Sequence, residues 1–482
     1  MRKIFTGVLI LISTAAMAVN VNPTNYLDRI DEIVAGQTLT FSNGIYVFTN
    51  VQLDKFATKL RDNVTIVASS GANVRFKSES NDMPVMTISN KKNVVFQNVK
   101  FFNISVKIED CSGFRIKQVT MKDPRHSTIG DKKSNRRFLF ISGGDDNQVI
   151  GCTLDWNTSD TGKYGSGIYI SQGTDHLIKN CTIKGYLING IGITAKKRTG
   201  DGTTGNTNHK VIGGSVTRQV YADDENDYLS EDHGIYILSV NNVQVNHVTV
   251  TGWSNNNSGY QIKLKGVVNV DITNCTLGAN NNQGGITINE ESGYLENRNI
   301  DIINNNFVSE GIKGFGISSR QACYGRVTIR DNKFSSIGKI DMPREVPSDF
   351  NSNGGGIHNN CGISSSDILM PSGINRTFGC GFDASAARQI DESIDLVSDF
   401  QEFGIFPNPS SGSVINLMIG QDLSMVKLEI LDIHGKVVYS VSNISTEEGH
   451  IKLKLDNPLN SGIYIIDLTN GDYREQARLL VQ

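Results

Sequence analysis

Two lysines lie on alternate positions of one short segment, Tyr260-Gln261-Ile262-Lys263-Leu264-Lys265, and a tyrosine lies in a segment of the same pattern, His233-Gly234-Ile235-Tyr236. Brought together, these side chains could carry out β-elimination on a uronic acid. That reaction needs a base for the C5 proton, a cation or metal that neutralises the carboxylate, and an acid for the leaving oxygen. A lysine serves as the base when burial or neighbouring positive charge favours its neutral form, and Lys263 and Lys265 are the candidates. Tyr236 suits the acid. His233 completes the catalytic group, and His233 or Arg320 would hold the carboxylate. Arg320, Gln261, Tyr169 and Asn289 are expected to contact the substrate. Lysines at outward strand positions are often plain solvated residues, and the pattern alone leaves that alternative open.

Other chemistries compete for the same chain. The segment Asp223-Asp224-Glu225-Asn226-Asp227, with Glu231 and Asp232, is acidic, and Glu290-Glu291 lies further on. Paired carboxylates would suit a glycoside hydrolase, the acidic loop could bind Ca2+, and a solvated insertion would look the same. No cofactor is otherwise indicated, and no spacing resembles a zinc site. Gly144-Asp145-Asp146 reads as a turn. A non-catalytic glycan-binding surface protein is the remaining alternative.

The elements that must position these residues are visible as a repeat. Val149-Ile150-Gly151-Cys152-Thr153-Leu154 recurs as Ile178-Lys179-Asn180-Cys181-Thr182-Ile183 and Ile272-Thr273-Asn274-Cys275-Thr276-Leu277, with weaker copies before and after. A spacing of roughly 20–34 residues is that of one coil of a solenoid. Between these copies stand Gly167-Ile168-Tyr169-Ile170, Gly190-Ile191-Gly192-Ile193, Gly234-Ile235-Tyr236-Ile237 and Gly285-Ile286-Thr287-Ile288. Their alternation is that of half-buried strands sharing one core. Asparagines at the turns can adopt left-handed geometry and stack into a column whose amides satisfy one another. Asn25 to Ala35, with Leu27, Ile30 and Val34 on one helical face, is expected to cap the open end.

Outward side chains of successive coils should stack ~4.8 Å apart. The repeat aligns one outward column as Tyr169, Gly192, Tyr236, Gln261, Thr287 and Gly316. It aligns the next as Ser171, Thr194, Leu238, Lys263, Asn289 and Ser318, with Lys265 facing the same way and His233, Glu290 and Arg320 at the flanks.

Composition agrees with this picture: 48 glycines against 9 prolines in 482 residues favour many short strands joined by turns. A net charge of −3 shows no basic balance for nucleic acid. Arg2 and Lys3, the apolar run Phe5 to Ile12 and Ala16-Met17-Ala18 make residues 1–18 a signal peptide. That run is too short to span a bilayer, and no later stretch suits a membrane span. Residues 19–398 form the solenoid and 399–482 a second domain. The chain is expected to act as a monomer. Seven cysteines is an odd count: Cys152, Cys181 and Cys275 suit small buried core positions, and Cys361 and Cys380 could pair.

Residues 25–395 resemble the pectate-lyase-like superfamily of right-handed parallel β-helices, an all-β fold. Ser258 to Asn274 resembles the catalytic coil of the chondroitinase B and alginate lyase family, as does the opening from Ala35-Gly36-Gln37 to Gly44-Ile45-Tyr46. Aligned through Asn269 to Asn274, this resemblance puts the family's lysine base at Lys265. The family's calcium-binding glutamates fall near Ser258 and Tyr260, and its arginine near Asn289 or Glu290. The C-terminal segment resembles the type A sorting domain of the type IX secretion system. Pro407-Asn408-Pro409, the Asp432-x-x-Gly435-Lys436 turn and Gly462-Ile463-Tyr464 carry that likeness. It implies a small β-sandwich, the type IX secretion machinery as partner, and release to the cell surface or beyond. Together these readings lead to an expected secreted polysaccharide lyase whose substrate is an acidic glycan such as alginate.

Overall fold

The computed structural model describes residues 18–125, 136–157, 165–185, 187–195, 206–218, 233–253, 259–279, 285–289, 295–309, 316–319, 323–335, 340–342, 351, 355–369, 374–383, 404–406, 414–418, 426–432, 436–444, 450–455, 457–470 and 473–481. The chain divides into two compact units, Met1–Ile390 and Asp391–Gln482. Of the expected signal peptide, residues 1–18, all but Ala18 lie outside the described residues.

The first unit is the parallel β-helix. One wall is an 11-stranded parallel sheet that takes one strand from each successive coil. It runs through Val85–Ser89, Ser105–Glu109, Arg137–Ser142, Gly165–Ser171, Leu187–Thr194, His233–Leu238, Tyr260–Lys265 and Ile286–Asn289 to Ile368–Leu369. The remaining walls join in a 24-stranded sheet, because the long strands Leu177–Gly185 and Asn206–Arg218 each span two wall positions. Alternation drives this arrangement. Ile168, Ile191, Ile235, Ile262, Ile286 and Ile317 stack coil on coil and are fully buried, as are Ile170, Ile193, Ile237, Leu264 and Ile288. Each such side chain contributes about 1.5–3 kcal/mol on burial.

The Gly167, Gly190, Gly234, Gly285 and Gly316 positions form an inward column with no room for a side chain. A Cβ on Gly190 would sit 2.1 Å from Val216 Cγ1, and one on Gly285 2.6 Å from Phe307 Cδ1. At the turns, Asn63, Asn93, Asn208, Asn242, Asn269 and Asn299 all have positive φ. Their amides pass hydrogen bonds along the helix: Asn93 donates to Asn63 at 3.0 Å, Asn242 to Asn208 at 2.9 Å, and Asn299 to Asn269 at 2.9 Å.

A second, internal column changes chemistry along its length. Cys152, Cys181 and Cys275 are buried free thiols in it. Further on the same position holds Asn305, Asn332 and Asn360, each at most 4% exposed. Asn305 Nδ2 donates to Ile272 O at 2.9 Å and to Asn332 Oδ1 at 3.0 Å, and Asn305 Oδ1 accepts from Cys275 N at 2.9 Å. A neighbouring inward column is apolar at Val243, Val270 and Ile300 but holds Asn147, His176 and His209 in earlier coils, all at most 1% exposed. The two imidazoles stack with centroids 5.1 Å apart. Cys361 and Cys380 form a disulfide.

The N-terminal cap differs from expectation. Its helix is short, Tyr26–Asp31, and buries Ile30. Ile33 is covered while Val34 is 58% exposed, so the apolar face turns one residue earlier than read. A longer helix, Asn50–Lys59, does more of the covering. Thr49 opens it with a capping box to Gln52, and Leu53, Phe56 and Ala57 are buried. Phe56 stacks on Phe48 and meets Phe76 and Phe96 edge-on.

The second unit has an antiparallel three-stranded sheet, Gly404–Phe406, Val414–Met418 and His450–Lys454. Its four-stranded sheet contains Val437–Ile444, Val426–Asp432, Gly462–Asn470 and Tyr473–Val481. Ile415, Leu417, Leu428, Ile430, Ile451, Leu453, Ile466 and Leu468 from the two sheets form one core, the signature of a sandwich. Asp432 closes its turn by accepting from Lys436 N at 3.0 Å.

Candidate active site

The 11-stranded wall sets the register of the candidate residues. Tyr236 pairs with Lys263, and Lys263 with Thr287; Leu238 pairs with Lys265, and Lys265 with Asn289. The first outward column therefore runs Lys107, Phe140, Tyr169, Gly192, Tyr236, Lys263, Thr287, Ser318. The second runs Glu109, Ser142, Ser171, Thr194, Leu238, Lys265, Asn289. The expected alignment was displaced by two residues at the Tyr260–Lys265 strand. Gln261 there occupies the glycine position of the other coils.

This displacement corrects one assignment. Gln261 is fully buried, and its Nε2 donates to Trp253 O at 2.9 Å. It fills the inward corner where other coils keep glycine, so it is a core residue and does not contact substrate. Gly316 likewise faces inward, with its Cβ position 2.3 Å from Phe334 Cε1, and Ser318 takes the outward place.

The same displacement tightens the rest of the site. Lys263 lies on the rung next to Tyr236, with Nζ 5.7 Å from the centre of its ring. Lys265 lies two residues along the same strand, with Asn289 on the next rung. Tyr169 lies two rungs from Tyr236, its hydroxyl accepting from Thr194 Oγ1 at 2.8 Å. Gly192 makes this possible, since a Cβ there would come within 2.5 Å of Tyr169 Cδ2. The ring thus leans over the glycine towards Tyr236. Arg320, Glu290, Glu291, Ser258 and the acidic segment 223–232 lie outside the described residues, so the Ca2+ expectation falls there too. Among the described residues no cluster of three or more His, Cys, Asp or Glu side chains is arranged to hold a metal.

His233 also departs from expectation. It is 1% exposed, in a column with Asn189 and Tyr260 just before the glycine position. Its ring lies 5.3 Å from that of Tyr236, and neither nitrogen has a hydrogen-bond partner among the described residues. Burial, reinforced by the charges of Lys263 and Lys265, holds its pKa well below the usual imidazole value. It is therefore a neutral residue beneath the wall, and it neither touches substrate nor carries a charge for a carboxylate.

Two residues that sequence reasoning missed extend the wall. Arg137 lays its guanidinium 3.9 Å from the centre of the Tyr169 ring and 4.5 Å from that of Phe140. Lys107 Nζ lies 5.7 Å from the centre of the Phe140 ring but is paired with Glu109 at 2.5 Å. That pairing and a bond from Ser89 hold the Glu109 carboxyl below its ordinary pKa. The available signal was the alternation of Leu139 and Ile141, but Phe138 replaces the glycine that marks the other coils. Gly144-Asp145-Asp146 is the expected turn: a Cβ on Gly144 would lie 1.7 Å from Cys111 O.

Residues 404–482 match the family model of the secretion system C-terminal sorting domain. That domain directs the chain by type IX secretion to the cell surface or the extracellular space. Among curated proteins no sequence matches. Among solved structures the chain is similar to alginate lyase AlyF-OU02, with 12% identity, a TM-score of 0.36, and coverage of 77% of this chain and 87% of that one. It is similar to the A-module of the Azotobacter vinelandii mannuronan C-5 epimerase AlgE4, at 12% identity and a TM-score of 0.32, covering 71% and 88%. A tailspike protein of bacteriophage CBA120 shows 9% identity and a TM-score of 0.34, with 74% of this chain covering 59% of that one. The chain thus spans about three-fifths of that tailspike's length. These likenesses concern the β-helix fold alone.

Proposed function

We propose that this protein is a secreted polysaccharide lyase that cleaves an acidic, uronic acid-containing glycan such as alginate by β-elimination. The observation that carries the reading is the pairing of Lys263 with Tyr236 on adjacent rungs of an outward wall, with Lys265 beside them. In the reaction the neutral amine of Lys263 takes the C5 proton of the uronic residue. The electron pair forms the C4–C5 double bond as the C4–O bond breaks, and the Tyr236 hydroxyl protonates the departing oxygen. In this reading the Lys265 ammonium neutralises the carboxylate, and Asn289 on the next rung offers an amide to the sugar hydroxyls. A flat wall of columns ~4.8 Å apart suits an extended chain.

The test is to incubate the purified protein with uronic polysaccharides and follow ultraviolet absorbance and reducing ends together. A lyase raises both, a hydrolase raises reducing ends only, and a binding protein raises neither. Lys263→Ala is expected to lower turnover 100- to 10,000-fold, the usual range for removal of a general base, while the circular dichroism spectrum stays unchanged. A folded Lys263→Ala protein with full activity overturns the assignment.

A further inference from the structure

Arg137 is a strongly basic side chain on this wall for which no anionic partner lies among the described residues. Its guanidinium is held by two aromatic faces, Tyr169 and Phe140. The two rings stand at 70° to one another and contact the group from two directions, and its outer edge carries N–H donors able to bond an acceptor. Among the described residues no carboxylate or carbonyl accepts from that edge, and none of its nitrogens is both buried and unsatisfied, so the edge meets solvent. Neighbouring cations differ in this respect. Lys107 is spent on Glu109, and Arg136 on Asp82 at 3.2 Å.

The stack is also braced. Tyr169 is pinned by Thr194, and the absence of a side chain at Gly192 lets its ring lie flat along the wall. A rigid, half-buried, unpaired guanidinium is electrostatically costly by itself and complements a planar anion that meets two of its N–H groups at once. Sulfate esters and phosphates fit the same fork; the carboxylate is the choice here because the proposed substrate is a uronic polymer aligned on the wall.

We propose that Arg137 forms an outer anion-binding subsite that takes the carboxylate of a second uronic residue of the glycan. Its platform, Tyr169, lies two rungs, ~10 Å, from Tyr236, so a sugar at the subsite is near the one being cleaved without touching the reacting atoms. Arg137 is therefore a specificity residue, outside the proton-transferring pair. This assignment rests on the lyase reading for its substrate class.

The test measures equilibrium binding of a defined uronic oligosaccharide by calorimetry, in the Lys263→Ala background so that the ligand survives. Adding Arg137→Ala is expected to weaken binding roughly 10- to 100-fold, as loss of a charge-assisted bidentate contact does, and to flatten its salt dependence. Arg137→Lys is expected to restore little, because an ammonium does not stack in the same plane. The same oligosaccharide with its carboxyls reduced to alcohols should bind equally with and without Arg137. A sulfated neutral oligosaccharide that depends on Arg137 more than the uronic one overturns the carboxylate assignment. Unchanged uronic affinity in a folded Arg137→Ala protein, or in Arg137→Gln, which keeps most of the stem, overturns the subsite. If the parent protein releases no unsaturated product, the lyase reading fails, while the Arg137 affinity ratio remains readable within the matched pair.

Discussion

Acid should unfold the β-helix earlier than its surface carboxylates alone would dictate, because His176 and His209 are stacked inside it. Burial lowers the His176 pKa from 6.5 to about 4. It lowers that of His209 from 6.5 to about 3, with the charge of His176 adding to the effect. Both groups bind protons more readily when unfolded, so stability is full above about pH 6.5 and falls as pH drops towards the folded values. At about 1.4 kcal/mol per pKa unit, His176 accounts for about 3 kcal/mol and His209 for about 4 kcal/mol of lost stability by pH 3. That is comparable with the whole stability of an ordinary domain. His233, also depressed, adds in the same direction. The perturbation that isolates the effect is His209→Val, because the next coil carries Val243 at the same position. Urea unfolding at pH 7.5, 6.0, 5.0 and 4.5, followed by circular dichroism, reads it. The variant should lose about 1.4 kcal/mol less per pH unit below pH 6 than the parent. Parallel stability curves for the two proteins would refute the reasoning.

Two further substitutions test how the wall and the core are built. Gly192→Ala drives a methyl into Tyr169 and should break the hydroxyl contact with Thr194; a loss of about 1–3 kcal/mol in unfolding free energy is expected, together with reduced turnover, and an unaltered melting temperature contradicts it. Asn305→Ala orphans Cys275 N and Ile272 O in the core and should cost about 2–5 kcal/mol, read as a lowered urea midpoint with unchanged spectra.

The fold was legible because its inward positions repeat. Cys152, Cys181 and Cys275 mark one column, and the Gly-Ile segments mark another. The asparagine turns were equally plain, since left-handed geometry selects that residue again and again. Legibility ended where a coil breaks the pattern. Gln261 stands in a glycine position and solves the crowding by reaching to the Trp253 carbonyl instead of by being small. Nothing in its type reveals this, so the neighbouring lysines were aligned two residues away from their true partners. Phe138 hides Arg137 in the same manner, its ring packing on Trp156 at 4.7 Å. His233 was misjudged because the position before the glycine is covered here, and cover by other parts of the chain is not a local property.

The asymmetry has a physical cause. An inward residue must fit the residues above and below it, so every coil restates the same volume constraint and one sequence contains many copies of the signal. An outward residue is held mainly by two neighbours one strand spacing away, a constraint weak enough that Thr287, Lys263, Tyr236 and Gly192 can follow one another in a single column. Each chemical group on the wall therefore occurs once, with no repeat to reveal its register. The same looseness lets such a wall exchange its chemistry with little effect on folding. The backbone of a β-helix consequently says little about the reaction, and the proposed β-elimination rests on the Lys263–Tyr236 contact itself.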